Sequence, residues 1–327
     1  MSHVIASVAA LGAAVKEFRI RRRDGAPLPD WQPGSHIVLR FAAADGTAFE
    51  NRYSLVGVPG AAGTYRIAVQ REQHGKGGSR CLHDEFGPGS TVEVTGPFNS
   101  FPLAAAPRAP QQPQRESPRT LLVAGGIGIT PMVSMAHALG SLGMPFTLHY
   151  LARSTDRLVL MDELRAIPHA AIVPHLSQEV GRASLAALLG PYLAGDSFYA
   201  CGPVALLQSL ADAGVRLGWP AGAMHFESFG PRAHAGDAPL TVELALSQMT
   251  VEVRPGTSIL DALIAADVFV SYECKRGECG SCYTPVLEGQ PQHRDVCLTP
   301  AMRNAGMCTC VSWAGQAGQA SRLVLEL

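Results

Sequence analysis

The chain has 327 residues, 47% hydrophobic and 16% charged, with a formal net charge of -1. That length exceeds one ordinary domain and predicts two or three, each able to bury a core. The near-neutral charge gives no reason to expect nucleic acid or a membrane surface as partner, and no apolar run reaches the ~18 residues of a transmembrane helix.

The first segment, "MSHVIASVAALGAAVKEFRIRRRDG", has an apolar stretch with no basic residue before it, and the cluster Arg19, Arg21, Arg22 and Arg23 comes after. That order is wrong for a secretory signal. It reads as a pair of β-strands and implies a cytoplasmic chain, where thiols stay reduced. The stretches "HIVLRF", "YSLVGV", "TYRIAVQRE" and "STVEVTG" follow, separated by Gly, Pro and Asp turns. They predict an antiparallel β-barrel or sandwich over 1–105. "AAAPRAPQQPQRESPR", 104–119, is a linker or long surface loop.

From residue 120 strand and helix patterns alternate. "TLLVAG", "FTLHYLA", "AIVPHL" and "SFYACG" are strands; "PMVSMAHALGSLG", "LVLMDELRAI", "RASLAALLG" and "PVALLQSLADAGV" are helices. A doubly wound α/β domain over 106–229 follows. In "LLVAGGIGITPM" the strand leads through Gly125, Gly126 and Gly128 into a helix. Thr130 is expected as its cap and Pro131 at its first position, so that the helix N-terminus faces a pyrophosphate. Cys201, Gly202 and Pro203 of "YACGP" end another strand, where open sheets bind ligands. In "YLARSTDR", Arg153, Ser154, Asp156 and Arg157 are placed to meet a ribose. The acid favours NADH, whereas Arg and Ser suit the extra phosphate of NADPH.

Residues 230–239, "GPRAHAGDAP", form a polar linker, and 240–327 a third domain. It contains a hairpin, "LTVELALSQMTVEVRP", a helix, "SILDALIAADV", and the loop "CKRGECGSC". The spacing C-x4-C-x2-C, with a distant fourth cysteine, is the plant-type [2Fe–2S] pattern. Cys274, Cys279 and Cys282 supply three thiolates, while Gly277 and Gly280 let the backbone turn and bring amides to the sulfurs. A structural zinc site would more often show two paired CxxC units. Cys297, Cys308 and Cys310 are candidates for the fourth ligand. Cys310 begins a run matching ferredoxin fourth ligands, but Cys308 projects to the same side of an extended run, so spacing alone leaves both open. Cys81 and Cys297 read as small buried residues.

In the barrel, "NRYSL" offers a charge at Arg52, an aromatic face at Tyr53 and a hydroxyl at Ser54. In "GKGGS", Gly77, Gly78 and Ser79 precede a helix, again an anion-binding arrangement. With "PFNSFPL", "GGIGITP", "YACGP", "HFESFG", "CKRGECGSC" and "CVSWA" in the same order, nearly the whole chain resembles the phthalate dioxygenase reductase family, reductases of Rieske-type oxygenases.

The resemblance implies an FMN-binding barrel, an NAD-binding domain and a β-grasp-like [2Fe–2S] ferredoxin domain. It puts Arg52, Tyr53 and Ser54 at the flavin ring and ribityl chain, and Gly77, Gly78 and Ser79 at its phosphate. Ser54, Cys201, Glu227 and Phe229 are then expected at the reacting centre, and Cys274, Cys279, Cys282 and Cys310 as cluster ligands. One departure is Asn51, where the family usually has Arg; Arg52 or Lys76 is the expected substitute.

The implied mechanism is a relay. NADH gives two electrons as hydride, a cluster accepts one at a time, and flavin mediates. Plant-type clusters lie near roughly -400 mV and Rieske clusters at about -150 mV or above, so each electron falls through roughly four decades of equilibrium constant. The expected partner is a Rieske oxygenase of the ring-dioxygenase or O-demethylase type. An FAD-containing reductase of another monooxygenase, and a redox-sensing module without turnover, are the alternatives. Residues 240–327 carry nine acidic and six Lys or Arg residues. This imbalance is too small to steer docking, which leaves Lys275, Arg276 and Glu278 as the expected contact residues.

Overall fold

The computed structural model describes residues 2–60, 63–73, 76–104, 118–229, 236–314 and 321–327. Its contacts divide the chain into two units, Met1–Gly202 with Ala213–His225, and Pro203–Asp212 with Phe226–Leu327.

The first unit opens with β1 (His3–Gly12), β2 (Val15–Arg22), β3 (His36–Ala42), β4 (Ala48–Ser54), β5 (Tyr65–Gln70), α1 (Gly78–Glu85) and β6 (Thr91–Phe98). β1 and β2 form the expected antiparallel pair. The six strands run in the order β4-β3-β6-β1-β2-β5, and the end strands β4 and β5 come back against each other. The sheet thus curls into a barrel around Ile5, Phe18, Ile20, Ile37, Leu39 and Ile67. The strand read over "YSLVGV" is displaced: β4 ends at Ser54, and Gly57 takes φ 103°, which extended pairing does not permit.

Next come β7 (Thr120–Gly125), α2 (Ile129–Ser141), β8 (Phe146–Ala152), α3 (Met161–Arg165), β9 (Ala170–Leu176), α4 (Ser177–Val180), α5 (Leu185–Leu189), β10 (Ser197–Gly202), α6 (Val204–Arg216) and β11 (Met224–Ser228). The sheet order is β11-β10-β7-β8-β9, with β10, β7, β8 and β9 parallel. Every residue of β7 is buried, as a central parallel strand covered on both faces requires. The helix expected over "LVLMDELRAI" shrinks to five residues. Leu160 adopts a left-handed φ of 64° before it, and Pro168 follows. The linker read over 104–119 lies almost wholly outside the described residues, as does most of that read over 230–239.

Barrel and nucleotide half share one core within the first unit. Val15, Val56, Ala68 and Phe101 pack with Leu122, Met132 and Tyr150. The Gly34 N–H donates to the buried Ser134 Oγ at 3.1 Å. Arg66 adds a charged tie, donating to Glu17 Oε2 at 2.6 Å and to Glu163 Oε2 at 2.7 Å, while His137 Nε2 lies 2.8 Å from Glu163 Oε1.

The second unit contains β12 (Leu240–Leu244), β13 (Met249–Val253), α7 (Ile259–Ala265), β14 (Tyr283–Glu288), β15 (Pro291–Gln292), α8 (Pro300–Ala305), β16 (Gly306–Cys308), β17 (Trp313–Ala314) and β18 (Ser321–Leu325). Its main sheet runs β13-β12-β18-β14-β16, with β12 and β18 parallel and a β12–β13 hairpin, the β-grasp arrangement. α7 packs on β13, and Trp313 fills the core with Leu260, Leu263 and Leu323. Among the described residues, no helix is long and apolar enough to cross a membrane.

Burial pushes the Glu163 carboxyl up, but hydrogen bonds from His137 and Arg66 outweigh it and hold the group below its ordinary value. A carboxyl depressed by folding adds stability above its unfolded pKa and loses it as pH falls through the folded value. Glu163→Gln should therefore show a shallower loss of stability than wild type between about pH 6 and about pH 3 in urea unfolding. Arg66→Met, which leaves Glu17 and Glu163 without their shared cation, should cost about 2–4 kcal/mol at neutral pH.

Candidate functional site

The two flavin motifs meet in the barrel. β4 carries Asn51, Arg52, Tyr53 and Ser54, and α1 begins at Gly78 beside it. Asn51 lies against Gly78, where a Cβ would come within 2.6 Å of its Nδ2, and it donates to the Tyr53 hydroxyl at 2.8 Å. Gly77 caps α1 with φ 100°, and no acid stands in the first turn, so the helix N-terminus is open to an anion. Ser79 Oγ accepts from the Glu72 N–H at 3.1 Å. Strand alternation puts Asn51 and Tyr53 on one face and Arg52, exposed, on the other. Lys76 is exposed immediately before Gly77. Ser54 is 4% exposed, and its Oγ has no hydrogen-bond partner among the described residues. A buried hydroxyl without a partner is costly, and a flavin edge would supply one. Burial also raises the Tyr53 hydroxyl well above its usual value, keeping the ring neutral. These residues fit a flavin.

The nucleotide motifs interlock through missing side chains. A Cβ on Gly128 would overlap the Cys201 carbonyl, and one on Gly202 would come within 3.0 Å of Gly125 Cα. The glycine loop and the end of β10 therefore touch backbone to backbone at the carboxyl edge of the parallel strands. Gly126 takes φ 57° to make the turn. Two local expectations fail. The helix starts at Ile129, so Pro131 sits third, and Thr130 donates its hydroxyl to the Ile127 carbonyl at 3.1 Å rather than capping the helix. Cys201 is fully buried and belongs to the core, with Pro203 exposed after it. Arg153 begins the turn after β8, where Ser154 Oγ donates to Asp156 Oδ1 at 2.5 Å and Arg157 lies 3.5 Å from Asp156.

The cluster loop lies in the second unit between α7 and β14. The Arg276 N–H donates to Cys274 Sγ at 3.2 Å, and the Ser281 N–H to Cys279 Sγ at 3.5 Å. Amides aimed at sulfur stabilise thiolate, the form that binds iron. Gly277 takes φ 71°, and a Cβ there would come within 2.6 Å of Val311.

Among the described residues no three metal-binding side chains converge on one point. The thiols meet in pairs instead, with Cys274 and Cys279 Sγ 3.1 Å apart. Hydrogen bonds from Cys308 and then Cys310 hold the Cys282 thiol well below its ordinary value. Cys310 also feels Cys274 and the Gly277 backbone, whereas Cys308 reaches Cys297. The donor set and its amides fit an iron–sulfur cluster. All eight cysteines are unbridged. Cys81 is buried as expected, but Cys297 is only half-buried, its Sγ 3.8 Å from that of Cys308.

Glu227 and Phe229 differ sharply: Glu227 is 1% exposed and Phe229 43%. Glu227 pairs with Arg276 of the cluster loop at 3.7 Å, and Arg276 with Glu278 at 3.0 Å. The expectation that Arg276 and Glu278 form a contact rim is thereby overturned, because their side chains are 9% and 8% exposed. Lys275 stays near the surface, over the Tyr272 ring and paired with Asp261.

Residues 242–314 match the model of the 2Fe-2S iron-sulfur cluster binding domain. The phenoxybenzoate dioxygenase subunit beta of Ectopseudomonas oleovorans is 36% identical over 312 residues, covering 95% of this chain and 92% of that protein. A solved structure of phthalate dioxygenase reductase, described as a modular structure for electron transfer from pyridine nucleotides to [2Fe-2S], superposes with a TM-score of 0.66. It shares 33% identity and covers 100% of this chain and 98% of its own. An intact type IV self-sufficient cytochrome P450 monooxygenase matches at 32% identity and a TM-score of 0.65 over 100% of this chain, which spans only 41% of that protein's length. A cluster loop with amides at its sulfurs, a glycine-interlocked nucleotide edge and relatives of this identity along nearly the whole sequence lead to one family: the chain belongs to the phthalate dioxygenase reductases, oxidoreductases that join flavin and NAD domains to a [2Fe–2S] ferredoxin domain.

Proposed function

We propose that this oxidoreductase is the reductase component of a Rieske-type oxygenase system in the cytoplasm, drawing on NADH, FMN and a [2Fe–2S] cluster. When bound, the nucleotide delivers two electrons as hydride, the flavin divides them and the cluster carries them singly. The observation that carries the reading is the thiol loop, with N–H groups directed at Cys274 and Cys279.

The chain's own residues bind, orient and tune. Ser54 offers its unpartnered hydroxyl to the flavin edge and Tyr53 its ring; Gly77, Gly78 and Ser79 offer the α1 N-terminus to the phosphate. Asn51, beside Gly78, takes the place of the usual Arg with a neutral amide. FMN rather than FAD suits a cradle that runs directly into a helix. Gly125, Gly126, Gly128, Thr130, Gly202 and Pro203 form the pyrophosphate edge, and Arg153 the ribose side. Cys201, Glu227 and Phe229 are assigned to the nicotinamide end. Cys274, Cys279, Cys282 and Cys310 hold the cluster. Cys310 is favoured over Cys308 because Cys308 Sγ lies against Cys297, outside the loop, at 3.8 Å. No general acid or base is required.

The likeness to a cytochrome P450 fusion favours a second reading, in which the acceptor is a heme monooxygenase. Purified Rieske oxygenase and cytochrome P450 acceptors, each mixed with the NADH-reduced protein, separate the two. The primary reading predicts reduction of the Rieske centre at least tenfold faster than of the heme, and the reverse order would replace it. Iron content and visible absorption should be lost in Cys310→Ser and kept in Cys308→Ser; the opposite pattern would reassign the fourth ligand. With Asp156 at the ribose turn, kcat/KM for NADH should exceed that for NADPH by at least tenfold, and equal values would remove Asp156 from that role.

A further inference from the structure

A buried charged set ties the end of β11 to the cluster loop. Arg276 lies between two carboxylates, its Nη1 3.7 Å from Glu227 Oε1 and its Nε 3.0 Å from Glu278 Oε2. Glu278 Oε1 in turn accepts the Ser228 N–H at 2.6 Å. The side chains of Arg276, Glu227 and Glu278 are 9%, 1% and 8% exposed, so water screens them little. Arg276 and Glu278 flank Gly277, where a Cβ would come within 2.6 Å of Val311 and whose carbonyl accepts from the Val296 N–H at 2.9 Å. The same two loop residues bring their backbone N–H groups to Cys274. Side chain and main chain of Arg276 thus face in two directions, one toward β11 and one toward a sulfur.

Resting on the reading that this loop carries a [2Fe–2S] cluster, we propose that Arg276 is a positioning residue for electron transfer. It locks the loop to the β11 end and sets the cluster's reduction potential through its charge, balanced by Glu278. The guanidinium is turned away from Cys274 but buried two residues along the chain from it, and in so dry a site its charge still favours the electron-rich reduced cluster while the Glu278 carboxylate opposes it; hydrogen bonds to the sulfurs and local charge both move such potentials. Losing the guanidinium removes the cation that the two buried carboxylates share. Losing the Glu278 charge while keeping its shape leaves Arg276 paired with Glu227.

The test uses full-length protein loaded with flavin and iron, as wild type, Arg276→Met, Arg276→Lys and Glu278→Gln. Iron content and the electron paramagnetic resonance signal of the reduced cluster come first, then its midpoint potential, then stopped-flow rates of flavin bleaching by NADH and of cluster reduction. Arg276→Met should lower the potential and Glu278→Gln raise it. Cluster reduction should slow at least tenfold in Arg276→Met and recover in part in Arg276→Lys, and in Arg276→Met it should slow by a larger factor than flavin bleaching; an equal or larger loss in bleaching overturns the proposal. A merely structural role would move both potentials in the same direction or neither, and either result overturns the proposal. If Arg276→Met fails to retain iron, Glu278→Gln decides alone: an unchanged or lowered potential refutes it. Wild type without iron or a cluster signal would instead refute the underlying functional reading, and the proposal with it.

Discussion

Backbone N–H groups aimed at sulfur are the constraint around which the second unit is arranged. Thiolates crowded into one short loop repel one another, and a cluster's iron core offsets only part of their negative charge. Donors must be turned inward without side chains in the way. Gly277, at φ 71° with its α-carbon wedged against Val311, lets the chain do this. The neighbouring "HRD" segment supports the arrangement from outside. Asp295 is fully buried and accepts from the Leu298 N–H at 3.2 Å, with Arg303 3.4 Å away, while Arg294 makes a two-pronged pair with Asp237 at 2.9 and 2.6 Å. The β-grasp sheet and the Trp313 core then hold this segment beneath the loop.

The first unit solves a similar problem with glycine rather than amides at sulfur. A pyrophosphate needs bare backbone at a helix N-terminus, and Gly128 and Gly202 leave room for two loops to touch directly. The flavin side repeats the device, with Gly78 accepting Asn51 where a side chain would collide. In both places specificity comes from close approach and partial charge, in keeping with a protein whose cofactors supply the chemistry. The shared core and the Glu17–Arg66–Glu163 tie make barrel and nucleotide sheet one compact unit.

Much of this was legible in the sequence, because spacing carries chemistry. C-x4-C-x2-C, "GGIGITP" and "YACGP" put particular residue types at fixed offsets, and the strands around them show clear patterning. What escaped was decided at long range. β11 is five residues that pair with β10 across the intervening α6, and no alternation announced it. Arg276 and Glu278 read as solvated charges on a loop because the partners that bury them, Glu227 and Ser228, lie about fifty residues earlier. Cys297 read as a small buried residue, yet the chain returns through α8 to leave its Sγ 3.8 Å from that of Cys308. The β4 boundary and the Thr130 bond were local errors, set by Gly57 and by where α2 starts.

Electron capacity tests the central claim most directly. A chain holding one flavin and one [2Fe–2S] cluster stores two electrons in the first and one in the second. Anaerobic coulometric reduction of the purified, loaded protein, followed by absorbance and electron paramagnetic resonance, should take up about three electrons per chain and end with a reduced-cluster signal. Uptake of about two electrons, with a flavin spectrum and no cluster signal, would contradict the account.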